Sequence, residues 1–147
     1  TLLEVLAVVV ILVILASIAM PNLLASARSA RENADIATGH QIKTALDRYF
    51  IEHGVYPTFS EMTSDDGKII AKGFIPEYIS PLTPAVTQQQ ATDDVKGFGV
   101  AKINPDGSLP ESGQMRLVMI YLDDFGTRAE VRVYNSDLST VLWSSAD

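Results

Sequence analysis

Three pairs of neighbouring aspartates are the side chains of this 147-residue chain best suited to binding a metal ion. They are Asp65-Asp66, Asp93-Asp94 and Asp123-Asp124, and carboxylate oxygens are the ligands that Ca²⁺ prefers. Their spacing matches no known calcium-binding loop, and aspartate-rich loops are usually solvated turns. Asp93, Asp94, Asp123 and Asp124 are therefore candidate calcium ligands, and no other cofactor is predicted.

The remaining side chains that serve in catalysis do not form a recognisable active site. His40 and His53 lie thirteen positions apart on one predicted helix, too far to share a metal, and His53 is expected to cap carbonyl groups or pack against the following domain. The Asp124-Phe125-Gly126 triplet also occurs in kinases, but no other kinase motif accompanies it, so it predicts a hairpin loop. The sequence thus predicts a protein that is not an enzyme.

Charge and cysteine content exclude further classes of function. The net charge is −7, and the first 54 residues carry only −1 of it, so the remainder is strongly acidic. An acidic domain argues against a nucleic-acid partner, because phosphate binding usually needs a basic face. The absence of cysteine excludes a disulfide, a cysteine nucleophile and a thiolate metal site.

Residues 2–20 form a long apolar segment, and those from 5 to 16 are all apolar. As a helix these 19 residues span roughly 28 Å, close to the hydrocarbon thickness of a bilayer. The segment lacks the basic region and small-residue cleavage site of a signal peptide. It predicts a membrane helix, and the alternative is a buried core helix or a parallel strand.

Glu4 places one carboxylate near the start of this apolar segment. A charge at mid-membrane costs about 2.5–3.5 kcal/mol, and less near an interface. One interpretation is that Glu4 lies at the level of the lipid headgroups. The other interpretation is that Glu4 pairs with a cation that arrives when subunits pack. The candidate cation is the α-amino group of a neighbouring chain, and the pairing would set the axial register between subunits.

The helical pattern continues beyond Pro21 as far as Gly54, a natural C-terminal stop. Pro21 is expected to kink or locally melt the helix, because it donates no hydrogen bond. The small residues that follow favour close helix packing between subunits, and they are Ala25, Ser26, Ala27, Ser29, Ala30, Ala34 and Ala37. Further along, one face of the helix carries residues at helical spacing, Ile42, Leu46, Tyr49, Phe50 and His53. A sheet is expected to cover the stripe formed by the first four of them.

The remainder of the chain predicts a sheet. Four prolines and a polar run indicate a long, partly irregular connection over residues 55–96. Strands are predicted at 97–103, 115–122, 128–134 and 138–144, and the third alternates apolar and polar residues. The predicted fold is α+β, with a long kinked N-terminal helix, about residues 1–53, on an antiparallel sheet of three to four strands.

The start of the chain resembles the N-terminal segment of type IV pilins and type II secretion pseudopilins. The resemblance is carried by Thr1-Leu2-Leu3-Glu4, the apolar run, Pro21 and the small residues after it. The usual motif is Phe-Thr-Leu-Ile-Glu, so this chain starts one residue later and has Leu3 where isoleucine is commoner. Residues 46–58, LDRYFIEHGVYPT, are similar to the helix end and Tyr-Pro segment of many pilins and major pseudopilins.

The resemblance implies how such a chain is processed and assembled. An N-methylated phenylalanine would precede Thr1, exposed by a prepilin peptidase. Subunits would wait in the inner membrane, surrounded by lipid, until an assembly platform polymerises them into a helical homopolymer. Thr1, Glu4 and Pro21 would be the assembly residues. Major pseudopilins also use a calcium site in a loop, which keeps calcium as a possible cofactor.

The resemblance also divides the chain into four parts and predicts its function. Residues 1–24 would be membrane anchor and filament core, 25–54 the amphipathic half of the helix, 55–96 the variable connection and 97–147 the sheet. The main prediction is a type IV pilin, anchored by one span in the inner membrane and then assembled into an extracellular filament for adhesion, motility or DNA uptake. The alternatives are a major pseudopilin in a short periplasmic filament and a membrane-anchored monomer that binds a ligand.

Overall fold

The computed structural model describes residues 1–111 and 115–146. Residues 1–31 and 32–147 form two compact units. The residues at 112–114 and Asp147 belong to the predicted sheet region but lie outside the described residues.

The first unit consists of the start of helix α1, which runs from Leu2 to His53. Every residue from Thr1 to Ala30 is exposed. The helix is continuous through Pro21, so the local melting expected there is absent from this structure. Pro21 removes one hydrogen bond, and the intact bonds on either side maintain the helix.

The second unit begins with the end of α1, which stops where the sequence predicts. Gly54 adopts a left-handed φ of 78° and its N–H donates to the carbonyl of Phe50 at 2.7 Å, which closes the last turn. Two residues of the predicted stripe, Ile42 and Leu46, are completely buried. Tyr49 is half-buried, whereas Phe50 is 39% exposed at the edge of the stripe, so its predicted burial under the sheet is wrong.

A four-stranded sheet packs on this stripe, and its order is β3-β4-β5-β6. The strands are β3 (Phe98–Lys102), β4 (Val118–Leu122), β5 (Ala129–Tyr134) and β6 (Val141–Ser144). The α+β class and the long helix on a sheet are therefore confirmed. Every residue of β4 is buried, because this central strand has α1 on one face and a smaller cluster on the other. The four fully buried members of that cluster are Ile103, Met119, Tyr121 and Tyr134.

The pairing of β3 corrects the prediction of a purely antiparallel sheet. β4, β5 and β6 form the expected antiparallel meander, but β3 pairs parallel to β4, with Phe98 opposite Val118. A parallel pair needs a crossover of about a dozen residues or more, and the long connection between Lys102 and Val118 supplies it.

The connection at 55–96 is more regular than expected. It contains short 3₁₀ helices at Phe59–Glu61 and Pro84–Val86, and an antiparallel hairpin of β1 (Thr63–Asp65) and β2 (Lys68–Ile70). The hairpin turns on Asp66 and Gly67, whose φ values of 45° and 81° suit a tight two-residue turn. The Asp-Gly pair was the signal in the sequence that could have revealed it.

Candidate functional site

The apolar residues of the first unit form the largest exposed apolar surface of the described chain. Leu2 is 90% exposed, and the leucine, valine and isoleucine side chains that follow as far as Leu24 are about half exposed or more. α1 is long and apolar enough to cross a membrane, with none of its most apolar window buried. A continuous apolar surface of this size needs lipid or another protein to cover it.

Glu4 lies in the first turn of α1, where its carboxylate suits the positive end of the helix dipole. Its Oε2 atom is 3.4 Å from the amino nitrogen of Thr1, and both side chains are 84% exposed. The carboxylate of Glu4 is therefore accessible to a cation from another chain.

Pro21 lies about 26 Å further along the helix, so it is not brought together with Thr1 and Glu4. It has no N–H for the carbonyl of Ser17, four residues before it. Ser17 in turn directs its hydroxyl to the carbonyl of Ile14, at 2.7 Å. The helix is therefore weakened twice within residues 14–21, and only the proline was recognised from the sequence.

The candidate calcium ligands are not gathered into one site. Asp123 accepts hydrogen bonds from the N–H and hydroxyl of Thr127, and Asp124 pairs with Lys102. Burial tends to raise the pKa of Asp123, but the bonds from Thr127 outweigh it and leave the pKa below its usual value. The hydroxyl of Thr92 lowers the pKa of Asp94. The carbonyl oxygen of Asp93 accepts a hydrogen bond from the guanidinium of Arg116.

Within residues 1–111 and 115–146, no group of three or more histidine, aspartate or glutamate side chains is close enough to hold a metal ion. A calcium ion prefers six to eight oxygen ligands. The described carboxylates therefore do not by themselves form a calcium site, and calcium binding stays a prediction.

Asp35 is a site residue that the sequence analysis missed. It is completely buried, and its two carboxylate oxygens accept the backbone N–H groups of Gln88 and Gln89 at 2.7 and 3.2 Å. It anchors the end of the 55–96 connection to α1. Asp35 lies on the same helical stripe as Ile42 and Leu46, and an acid at such a position was the available signal.

Arg116 is a second buried polar residue that sequence patterns did not indicate. Its side chain is 2% exposed, and it donates to the carbonyls of Asp93 and Lys96 at 3.1 and 3.0 Å. It also reaches the carboxylate of Asp66 at 3.3 Å. One guanidinium thus joins the β1–β2 turn, the turn before β3 and the start of β4.

Aromatic side chains cluster around the end of α1. His53 lies among them and contacts a carbonyl group of the last turn, as the sequence predicted. The His53 ring stacks on Tyr49 at 4.1 Å, and its Nδ1 lies 3.1 Å from the carbonyl of Tyr49. Tyr78 donates its hydroxyl to the carboxylate of Glu52, and this bond raises the pKa of Tyr78 to about 12. The ring centre of the other histidine, His40, lies 4.1 Å from the ring centre of Trp143.

Two curated relatives match part of the chain. Over 58 residues it is 47% identical to the type II secretion system core protein G of Vibrio cholerae serotype O1 (strain ATCC 39315 / El Tor Inaba N16961), a match that covers 40% of each chain. It is 41% identical over 58 residues to the protein of the same name from Aeromonas hydrophila, covering 40% of this chain and 41% of that one. The match therefore spans about two fifths of the length of these relatives.

No protein-family model and no solved structure matches the chain. The assignment therefore depends on the N-terminal motif, the long helix on a sheet and the two relatives. On these grounds the chain is similar, over 58 residues, to type II secretion pseudopilins, which are pilin-like proteins.

Proposed function

We propose that this protein is a structural, non-catalytic subunit of a type II secretion pseudopilus, a short periplasmic filament of identical subunits. The names of both relatives support this interpretation over the extracellular type IV pilus that the sequence analysis preferred. Before assembly, the apolar half of α1 would hold the subunit in the inner membrane. An assembly platform and a prepilin peptidase are its proposed partners there.

The observation that carries this proposal is the uncovered apolar surface of residues 2–24. Each buried valine, leucine or isoleucine contributes about 1.5–3 kcal/mol, so a surface with this many exposed side chains is a strong drive towards lipid or helix packing. The same surface serves both states, in lipid before assembly and against neighbouring helices in the filament. The small residues that follow, from Ala25 to Ala30, are also exposed and permit close helix contacts.

Glu4 provides the specificity that apolar packing lacks. Apolar helices slide along one another at little cost, whereas a carboxylate surrounded by other helices needs a cation at one fixed height. The proposed cation is the α-amino group of a neighbouring subunit, next to that subunit's Thr1. Its pairing with Glu4 would set the axial step between subunits.

The experiment is to compare Glu4→Ala and Glu4→Gln with Glu77→Ala, which removes an exposed carboxylate from the second unit. Both Glu4 variants should still enter the membrane, because loss of a charge makes insertion easier. Their filament yield should fall about tenfold or more, while Glu77→Ala assembles normally. Membrane fractionation, cross-linking and electron microscopy measure these quantities. Normal filament yield from Glu4→Ala would contradict the pairing.

The location of the filaments separates the two members of the family. A pseudopilin should remain in the cell envelope at its native expression level and form surface filaments only when overproduced. Electron microscopy of sheared material from native cells, with mass spectrometry of its main small subunit, tests this. Abundant long filaments made of this chain would restore the type IV pilus hypothesis.

A further inference from the structure

A groove with a volume of about 820 Å³ lies beside β3, the strand at one edge of the four-stranded sheet. Its described lining comes from residues 59–64, from 99–103 and the connection that follows, and from residues between 115 and 121. Three of the four methionines of the chain line this β3 groove: Met62 and Met119 are buried beneath it, and Met115 is half-buried. Methionine is flexible and polarizable, and it is common on surfaces that accept varied partners.

The hydrogen bonds to β4 determine which backbone groups of β3 are free. Val118 donates its N–H to the carbonyl of Gly97, and Ile103 donates to the carbonyl of Leu122. In a parallel ladder every second residue bonds to the same neighbouring strand. The odd-numbered residues from 97 to 103 therefore face β4, and the even-numbered ones point their N–H and C=O groups to the open side.

Two of these outward-facing residues have backbone groups that no described residue pairs with. Phe98 is satisfied, since its N–H donates to the carbonyl of Gly67 at 2.9 Å and its carbonyl accepts from the hydroxyl of Ser64 at 2.7 Å. No residue in the described part of the chain pairs with the main-chain N–H or C=O of Val100 or Lys102. These four groups stand at strand spacing along the groove, an arrangement that an extended polypeptide satisfies.

The charges of the groove indicate the kind of segment that fits. Its described lining includes Lys102 and Arg116 and no carboxylate, although the chain carries a net charge of −7. The acidic partners of these two cations, Asp124 and Asp66, lie outside the lining and are 46% and 91% exposed. The pair of Lys102 with Asp124 is exposed on both sides and exchanges at little cost, so a carboxylate in the groove can take the place of Asp124.

We propose that the β3 groove binds an extended segment of another protein, which adds to the sheet as a strand next to β3. The segment carries apolar side chains at every second position, which contact the half-buried Met115 and Val100, and one carboxylate near Lys102. Main-chain bonds to Val100 and Lys102 supply the affinity and tolerate varied sequences. This surface lies in the second unit and does not depend on the filament contacts proposed above.

The test uses the full chain in detergent micelles and a synthetic heptapeptide of alternating threonine and valine that ends in aspartate. Binding is measured by titration calorimetry, with the peptide's partition into protein-free micelles subtracted. Amide hydrogen exchange at Val100 and Lys102 should slow when the peptide is added. A peptide N-methylated at alternate residues loses its donors on one edge, and its Kd should be about tenfold higher or more.

Variants of the strand provide matched controls. Val100→Pro removes an outward N–H without breaking a bond to β4, so binding should be lost, whereas Val100→Thr keeps the N–H and should bind normally. Lys102→Glu should weaken binding, and a peptide ending in lysine should restore it, which tests the site even if the proline variant fails to fold. The proposal is overturned if the N-methylated peptide binds equally well, if no peptide binds, or if the protein alone shows concentration-dependent protection at Val100.

Discussion

The buried carboxylate of Asp35 supports a quantitative prediction about the second unit. Its oxygens accept two backbone N–H groups, from Gln88 and Gln89, and no described cation pairs with it. A hydrogen bond to a charged group contributes about 1.5–3 kcal/mol, and a buried donor left without an acceptor costs about 1–3 kcal/mol. Asp35→Ala removes both acceptors and should lower the free energy of unfolding by about 3–5 kcal/mol, a large share of the 5–15 kcal/mol typical of a domain.

Asp35→Asn separates the hydrogen bonds from the packing. Asparagine has nearly the same shape and keeps one acceptor oxygen, but its NH₂ group faces one of the two donors. The loss should be about 1–3 kcal/mol, between the wild type and Asp35→Ala. Asn33→Ala, at an exposed position on the same helix, is the control and should change stability by less than about 0.5 kcal/mol.

The assay is urea denaturation of the full chain in detergent micelles, followed by the fluorescence of Trp143, the single tryptophan. Amide hydrogen exchange gives a local measurement, because the N–H groups of Gln88 and Gln89 should exchange faster in both variants. An Asp35→Asn protein as stable as the wild type, with the same exchange at these two amides, would refute the anchoring role.

Three further predictions concern other parts of the molecule. Gly39→Ala should destabilise the second unit by about 1–2 kcal/mol in denaturation, because the added Cβ would lie 2.7 Å from Val133, and this overpacking exceeds the gain of about 1 kcal/mol in helix propensity. The bond from Tyr78 to Glu52 raises the pKa of Tyr78 from 10.0 to about 12. The stability that this bond contributes is therefore complete below pH 10 and is lost as the pH rises towards 12. Glu52→Gln should return the pKa towards 10 in an NMR titration, and an unchanged pKa would contradict this. In the assembled filament, residues 14–23 should lose regular helical hydrogen bonding around Pro21, and a filament map with a continuous helix there would show the prediction to be wrong.

The features predicted correctly from sequence depend on local patterns. The apolar run and Gly54 specify where α1 runs and where it ends. Both signals are local, because the hydrophobicity of the run and the preference of glycine for a left-handed backbone depend on only a few neighbouring residues. The alternation in β5 likewise placed Val131 and Val133 on the buried face.

The features that were missed depend on contacts between distant residues. Asp35 meets Gln88 and Gln89 across 53 and 54 positions, and Arg116 meets Asp66 across 50, so no local pattern indicates either bond. The parallel pairing of β3 could not be predicted from local patterns either, because strand direction depends on how the connection between β3 and β4 crosses the sheet. The sequence by itself therefore determined the long helix and its apolar first half, while tertiary packing alone decided which backbone groups at the sheet edge have no partner among the described residues.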